Sequence, residues 1–342
     1  MKHIMCMVFC FLTVFMLMNS SYALSSSDLQ GMINVVPDGG TVTINSNNVG
    51  IGETILINRS CTINGSLANN INIFNSNNGV FVGFRIGDGC TVNFNGVNFI
   101  GFKNYAISSG DRTVLSFDKC SFSSSRGGVI SGKLNNLSFN GCDFSNNFNN
   151  NVLKVIASTL VLNNSNFKNN NFVDGFGSCI QGMGSNVSIN NSVFNANHAD
   201  IRGGSISLEG DGYTGMVNNS RVSGNSANGG GFLYTAGKNY AVNLLNTNFN
   251  NNRAVRRDDN GGSSVNGVGG VLLSTTNGNY SYYIQGNDIR DNVATGGGGL
   301  LACFREGGSF TFNGNRFGDN LWMIHDILQI ESKNNIFGGY DI

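Results

Sequence analysis

A short phrase recurs along most of this chain: an apolar residue, two small or polar residues, then Asn. It reads Phe144 to Asn147, Phe167 to Asn170, Phe194 to Asn197, Val222 to Asn225, Phe249 to Asn252, Ile289 to Asn292 and Phe317 to Asn320. Weaker copies stand at Phe99 and Phe122, where Phe102 and Ser125 take the Asn slot. Successive anchors are 23, 22, 23, 27, 28, 27, 40 and 28 residues apart. A period in the twenties marks a solenoid in which each repeat is one coil that buries its apolar face against its neighbours.

The residues around each anchor predict what a coil contains. Five before the anchors stand Phe94, Phe117, Phe139, Leu162, Ile189, Val217, Leu244, Ile284 and Phe312, and seven before them eight apolar residues and Gly215. Apolar positions separated by one mostly polar residue are the signature of a strand with one buried face. Three before the anchors stand Gly96, Lys119, Gly141, Asn164, Asn191, Asn219, Asn246, Gly286 and Gly314. Gly and Asn tolerate positive φ, so this column predicts a corner. Later Gly pairs such as Gly203-Gly204 and Gly230-Gly231 predict a second corner leading to another short strand. Short strands and tight corners at this period describe an all-β parallel β-helix, a rod on the order of 55 Å long at about 4.8 Å per coil.

The ends read differently. Met1 to His3 is basic, Ile4 to Met18 is apolar, and Ser21-Tyr22-Ala23 supplies small residues for cleavage, so 1–23 reads as a signal peptide. Leu29, Met32, Ile33 and Val36 follow helical spacing after Ser25 to Asp28 and predict a short helix that caps the first coil. The expected organisation is one domain over 24–342: a cap at 24–40, coils at 41–320 and a C-terminal end at 321–342. Early strands such as Thr41 to Ile44 and Ile71 to Phe74 read as β but out of step with the later period. No run after Ala23 approaches the roughly 20 apolar residues of a membrane helix.

Charge and chemistry narrow the function classes. Only 12% of the residues are charged and the formal net charge is zero, which offers nothing to nucleic acid or an anionic membrane. Asn147, Asn170, Asn197, Asn225, Asn252, Asn292 and Asn320 are expected to stack as a structural amide ladder rather than a ligand stripe. Cys61, Cys90, Cys120, Cys142, Cys179 and Cys303 follow the leader; Cys120 and Cys142 fall in stacked slots within disulfide range, and free thiols are preferred to a bond. No Cys or His spacing suits a metal, and no cofactor is expected. The adjacent acids Asp258-Asp259 sit in a long insertion read as a solvated turn. Tyr213, Tyr240 and Tyr280 each lie nine residues before an anchor, so they should stand one above another at a loop edge. They are the candidate binding residues, with faces to stack on sugar rings or on each other.

Phe249 to Asn252 with Ala254 and the following Gly269-Gly270-Val271 step resembles the repeat of chlamydial polymorphic outer-membrane proteins. It is similar also to the repeats of methanogen adhesin-like proteins, over roughly residues 24 to 342. The resemblance implies a right-handed, pectin-lyase-like β-helix on a cell surface. No translocating barrel or stalk is read before Asp341-Ile342, so a secreted fragment or truncated member is expected. The expected function is a secreted or cell-surface adhesin-like rod without catalysis, a monomer that meets surface glycans or proteins of host or neighbouring cells. The alternatives are a polysaccharide lyase or glycoside hydrolase on the same fold, and a structural envelope protein.

Overall fold

The computed structural model describes residues 23–65, 70–76, 82–256, 267–275, 278–303, 308–318, 324–325, 330–333 and 335–337. The expected leader up to residue 22, the Asp258-Asp259 insertion and Asn320 lie outside them. Among the described residues the chain forms four parallel sheets, of 13, 12, 11 and five strands, and one helix. One coil shows the order: Asn186–Asn190 in the 12-stranded sheet, Val193–Asn195 in the 13-stranded one, His198–Arg202 in the five-stranded one, and Ile206–Glu209 in the 11-stranded one. The all-β parallel β-helix expected from the period is the fold observed.

Registration places like on like. Leu115 pairs with Leu137 and Phe117 with Phe139, while Phe122 pairs with Phe144. The anchors make a stack of parallel rings, with centroids 4.6 Å apart for Phe99 and Phe122, 4.3 Å for Phe144 and Phe167 and 4.7 Å for Phe167 and Phe194. A second ring column, Phe94, Phe117 and Phe139, meets the first edge to face, as at Phe139 and Phe144. Each buried Phe contributes on the order of 2 kcal/mol from area alone, and repetition multiplies it along the rod. Gly215, the one gap in the apolar columns, is filled by its core neighbours: a Cβ there would stand 2.9 Å from Leu208 Cδ1 and 3.3 Å from Val242 Cγ2.

The corners follow the predicted column. All nine residues from Gly96 to Gly314 have φ between 46° and 65°, Lys119 included at 50°. Lys119 carries a Cβ penalty that Gly and Asn largely avoid. A second left-handed column, which the sequence pattern does not announce, directly precedes the Asn slot: Ser124, Asn146, Asn169, Ala196, Gly224, Asn251 and Asp291. Two turns per coil, each one residue wide, drop the anchor inward and then aim the Asn side chain inward behind it.

The first coils are not out of step in space. Val49 pairs with Ile73 and Ile73 with Phe99, so the anchor column continues to the N-terminus with Val and Ile in place of Phe. At the other end Ile324–His325, Ile330–Lys333 and Ile336–Phe337 add a strand to each of the three large sheets, within the stretch expected as a C-terminal end. The expected cap forms as α1 (Ser26–Val35), with Ser25 and Asp28 closing a reciprocal capping box and Leu29 and Ile33 buried on the first coil. Gln30 of α1 completes the edge of the 11-stranded sheet: its Oε1 accepts from Leu56 N at 2.7 Å and its Nε2 donates to Leu56 O at 3.0 Å. An otherwise open strand edge is thereby closed by a side-chain amide.

Candidate functional site

The Tyr column forms, but on the inside. Tyr213 and Tyr240 stack at 4.7 Å and 5°, Tyr240 and Tyr280 at 5.4 Å and 13°. Their exposures are 1%, 3% and 6%, so the rings face one another and the core instead of offering a face to a sugar. Their hydroxyls are engaged: Tyr213 donates to Leu208 O at 3.1 Å, and Tyr240 lies 2.9 Å from Ser274 Oγ and 3.1 Å from the Tyr282 hydroxyl. Burial raises the pKa of all three phenols and so disfavours their ionisation. The loop-edge placement is therefore corrected: each Tyr stands at or just before the first residue of a strand, where the alternation turns it inward. Only the rims of Tyr240 and Tyr280 reach a recess of about 320 Å³, shared with Asn239, Asn279, Ser281 and Ser309.

The Asn column is a ladder. Asn147 Nδ2 donates to Asn170 Oδ1, Asn170 to Asn197, Asn197 to Asn225, and Asn225 to Asn252, each at 2.9 to 3.0 Å. The second amide hydrogen goes to the anchor carbonyl one coil back, as from Asn197 to Phe167 O at 3.1 Å. Ser125 fills the slot with a shorter acceptor, its Oγ receiving Phe102 N at 2.9 Å. The six cysteines that follow the leader are all buried free thiols. Cys120 and Cys142 donate weakly to backbone carbonyls, Phe94 O and Phe117 O, in the column that Ser165 and Ser192 continue. Desolvation pushes the thiols of Cys61 up to about 11 and those of Cys179 and Cys303 up to about 12. None of these groups is arranged to react.

The polar side chains that do converge at the surface lie on the small fourth sheet. The residue after the Asn slot points outward there, and successive coils place Asn171, His198, Ser226, Arg253 and Val293 in one column. His198 Nε2 lies 2.9 Å from Asp200 Oδ1, and His198 Nδ1 lies 2.8 Å from Ser226 Oγ. An ionised carboxylate only accepts, so Nε2 carries the proton and Nδ1 presents its lone pair to the Ser226 hydroxyl. Asp200 is also held from the other side, its Oδ2 accepting Asp174 N at 3.1 Å. The His198 side chain is 42% exposed and that of Asp200 9%. A base reachable from solvent thus rests on a largely covered acid that fixes its tautomer.

Arg202, at the end of the strand His198–Arg202, donates to the Tyr234 hydroxyl at 3.0 Å and stands 5.1 Å from that ring's centroid. Tyr234 joins Val268, Leu273 and Ala302 in a second small apolar cluster, against which Phe176 packs. Sequence reasoning did not connect His198 to Asp200 and Ser226. The signal was there: His198 and Ser226 both follow an Asn slot directly, so the ladder puts them side by side. Among the described residues no group of three His, Cys, Asp or Glu is placed to hold a metal ion, and no helix is long and apolar enough to cross a membrane.

No family model and no curated protein matches the chain. Two solved structures are similar to it. One, described as the Agl-KA catalytic domain, is 11% identical over 93% of this chain and 68% of its own, with a TM-score of 0.38. The other, a mannuronic acid specific polysaccharide family 6 lyase enzyme from human gut microbiota, is 12% identical over 91% of this chain and 82% of its own, with a TM-score of 0.34. Both descriptions name enzymes, so the expectation of a rod without catalysis is withdrawn; likeness at this identity and TM-score is one of coil shape and assigns this chain no activity.

Proposed function

We propose that the protein is a secreted carbohydrate-active enzyme, acting on polysaccharide from the outer face of its small fourth sheet with His198 as the general base. The observation that carries this proposal is the exposed imidazole clamped between Asp200 and Ser226 at 2.9 and 2.8 Å. A tautomer fixed by a carboxylate, a lone pair held at Nδ1 and access to solvent are what proton abstraction near neutral pH requires. Arg253 supplies a cation in register beside Ser226, suited to an anionic group on the substrate or to charge that develops during reaction. The basic, apolar and small-residue order of residues 1–23 supports secretion, which brings such an enzyme to the surface glycans that are its proposed partners.

The test is a panel of neutral, uronate-containing and acylated polysaccharides incubated with the mature chain. Three readouts run in parallel: new reducing ends, unsaturated products and released acid. At least one is expected with the parent and lost with His198→Ala, whose circular dichroism should match the parent because residue 198 faces outward. No change in any polysaccharide, or full retention of activity by His198→Ala, would refute the proposal.

A further inference from the structure

We propose that Ser226 is a nucleophile served by His198, and that the bond it attacks is an acyl ester on the polysaccharide. This inference rests on the enzymatic role proposed above and specifies its chemistry. With Nε2 committed to Asp200, the lone pair of His198 is at Nδ1, and what lies on it is the Ser226 hydroxyl at 2.8 Å. Nucleophile, base and orienting acid therefore form one hydrogen-bonded chain, the arrangement that activates a serine irrespective of fold.

The scaffold holds that chain from beneath. His198 and Ser226 are direct partners across adjacent coils. Their backbone N–H groups donate to Asn170 O at 2.8 Å and Asn197 O at 2.9 Å, and the residues immediately before them, Asn197 and Asn225, are members of the buried ladder. Two side chains fixed at consecutive coils need little reorganisation before reaction.

Cleavage of the glycosidic bond fits these residues less well. Hydrolysis there calls for two carboxyl groups on either side of the bond, roughly 5 to 9.5 Å apart. Asp200 has one oxygen on His198 and the other on Asp174 N, and its side chain is 9% exposed. Ester hydrolysis needs instead a nucleophile, a base and a donor for the oxyanion. The backbone N–H groups of Ser226 and Arg253 are already bonded to the preceding coil, so backbone does not supply that donor. The exposed side chain of Arg253, in register with Ser226, is placed to do so.

The steps balance. Ser226 Oγ forms a bond to the acyl carbon while its proton passes to His198 Nδ1, and Asp200 stabilises the imidazolium through Nε2. The tetrahedral intermediate collapses, the C–O bond to the sugar breaks, and the Nδ1 proton goes to the departing sugar oxygen, which leaves as a hydroxyl. Water then attacks the acyl-serine with Nδ1 taking its proton. The bond between the acyl carbon and Ser226 Oγ then breaks, the Nδ1 proton passes to Oγ, and the acid is released with Ser226 restored.

The experiment uses the mature full chain with three probes: a fluorophosphonate, p-nitrophenyl acetate and an acetylated polysaccharide. The expected results are phosphonylation of Ser226, located by mass spectrometry, and release of acetate. Both should fall at least about a hundredfold in Ser226→Ala and in His198→Ala. Asp200→Asn should slow labelling while Ser226 remains the residue labelled. Ser226→Cys, which retains a nucleophile, gives a second check through its His198-dependent alkylation. Absence of phosphonylation, or acetate release untouched by Ser226→Ala, overturns the inference. If the polysaccharide is shortened or gains unsaturated ends in a His198-dependent manner that Ser226→Ala does not alter, the inference fails while the enzymatic proposal stands. If no probe and no polysaccharide reacts, both fail.

Discussion

Replacing Asn197 by Ala tests the ladder that underlies the whole rod. Asn197 is fully buried; its Oδ1 accepts Asn170 N at 3.0 Å and Asn170 Nδ2 at 2.9 Å. Its Nδ2 donates to Phe167 O at 3.1 Å and to Asn225 Oδ1 at 3.0 Å. Truncation leaves two donors of Asn170 facing a small cavity, whereas Asn225 Oδ1 still receives Asn197 N and Ser205 Oγ. Each orphaned donor costs about 1 to 3 kcal/mol, so the loss should be about 2 to 6 kcal/mol. Asn197→Ser should recover part of it, because Ser125 already satisfies one backbone N–H from the same slot. Asn197→Asp keeps the acceptors, loses the donors and buries a charge, so its folded pKa lies above the unfolded value of about 3.9. Its stability is therefore greatest in acid and declines as pH rises from the unfolded pKa through the folded one. Urea unfolding followed by circular dichroism and fluorescence measures the series. A loss below about 0.5 kcal/mol for Asn197→Ala, or Ser no better than Ala, would show that the ladder is a consequence of packing and not a cause of stability.

Two further predictions concern packing and pH. In Gly231→Ala a Cβ would run into Gly270 O and lie 2.7 Å from Arg253 N and O, so a loss of about 3 kcal/mol or more is expected in thermal unfolding. Gly31→Ala, within α1 with no atom within 4 Å, should instead gain about 1 kcal/mol. The thiols of Cys61, Cys179 and Cys303, pushed up to about 11 or 12 from an ordinary value near 9, should resist alkylation in the native protein at pH 8 and react once unfolded. Because the unfolded thiols release protons first, their contribution to stability is complete below pH 9 and is lost as pH rises toward 12. Stability rising with pH across that window would contradict the assignment.

The coil pattern was legible because a solenoid repeats one physical problem, and each solution to it recurs at a fixed offset. Phe122 and Phe144 could be aligned from spacing alone, as could the corner at Asn164 and Asn191. The same offset method passed over Val49 and read Ile73 as out of step, though both occupy the anchor column without its Phe or its Asn. It also placed Tyr240 at the right height but on the wrong side of the backbone. Alternation has to be counted from a strand's true start, and Tyr240 opens the strand that was read as beginning after it.

By itself, the sequence determined the period, the parallel coils, the capping helix and the inward direction of Phe and Asn. These follow from local alternation and from residues that accept left-handed corners. Only the tertiary structure decided that the thiols stay free, that three Tyr rings close on one another, and that His198, Asp200 and Ser226 meet. Asp200 is two residues from His198 and Ser226 is a whole coil away; the Asn slots align His198 with Ser226 in height, but spacing does not reveal that their outward side chains touch. It exists because stacked strands bring residues 28 positions apart to hydrogen-bonding distance, as His198 and Ser226 show.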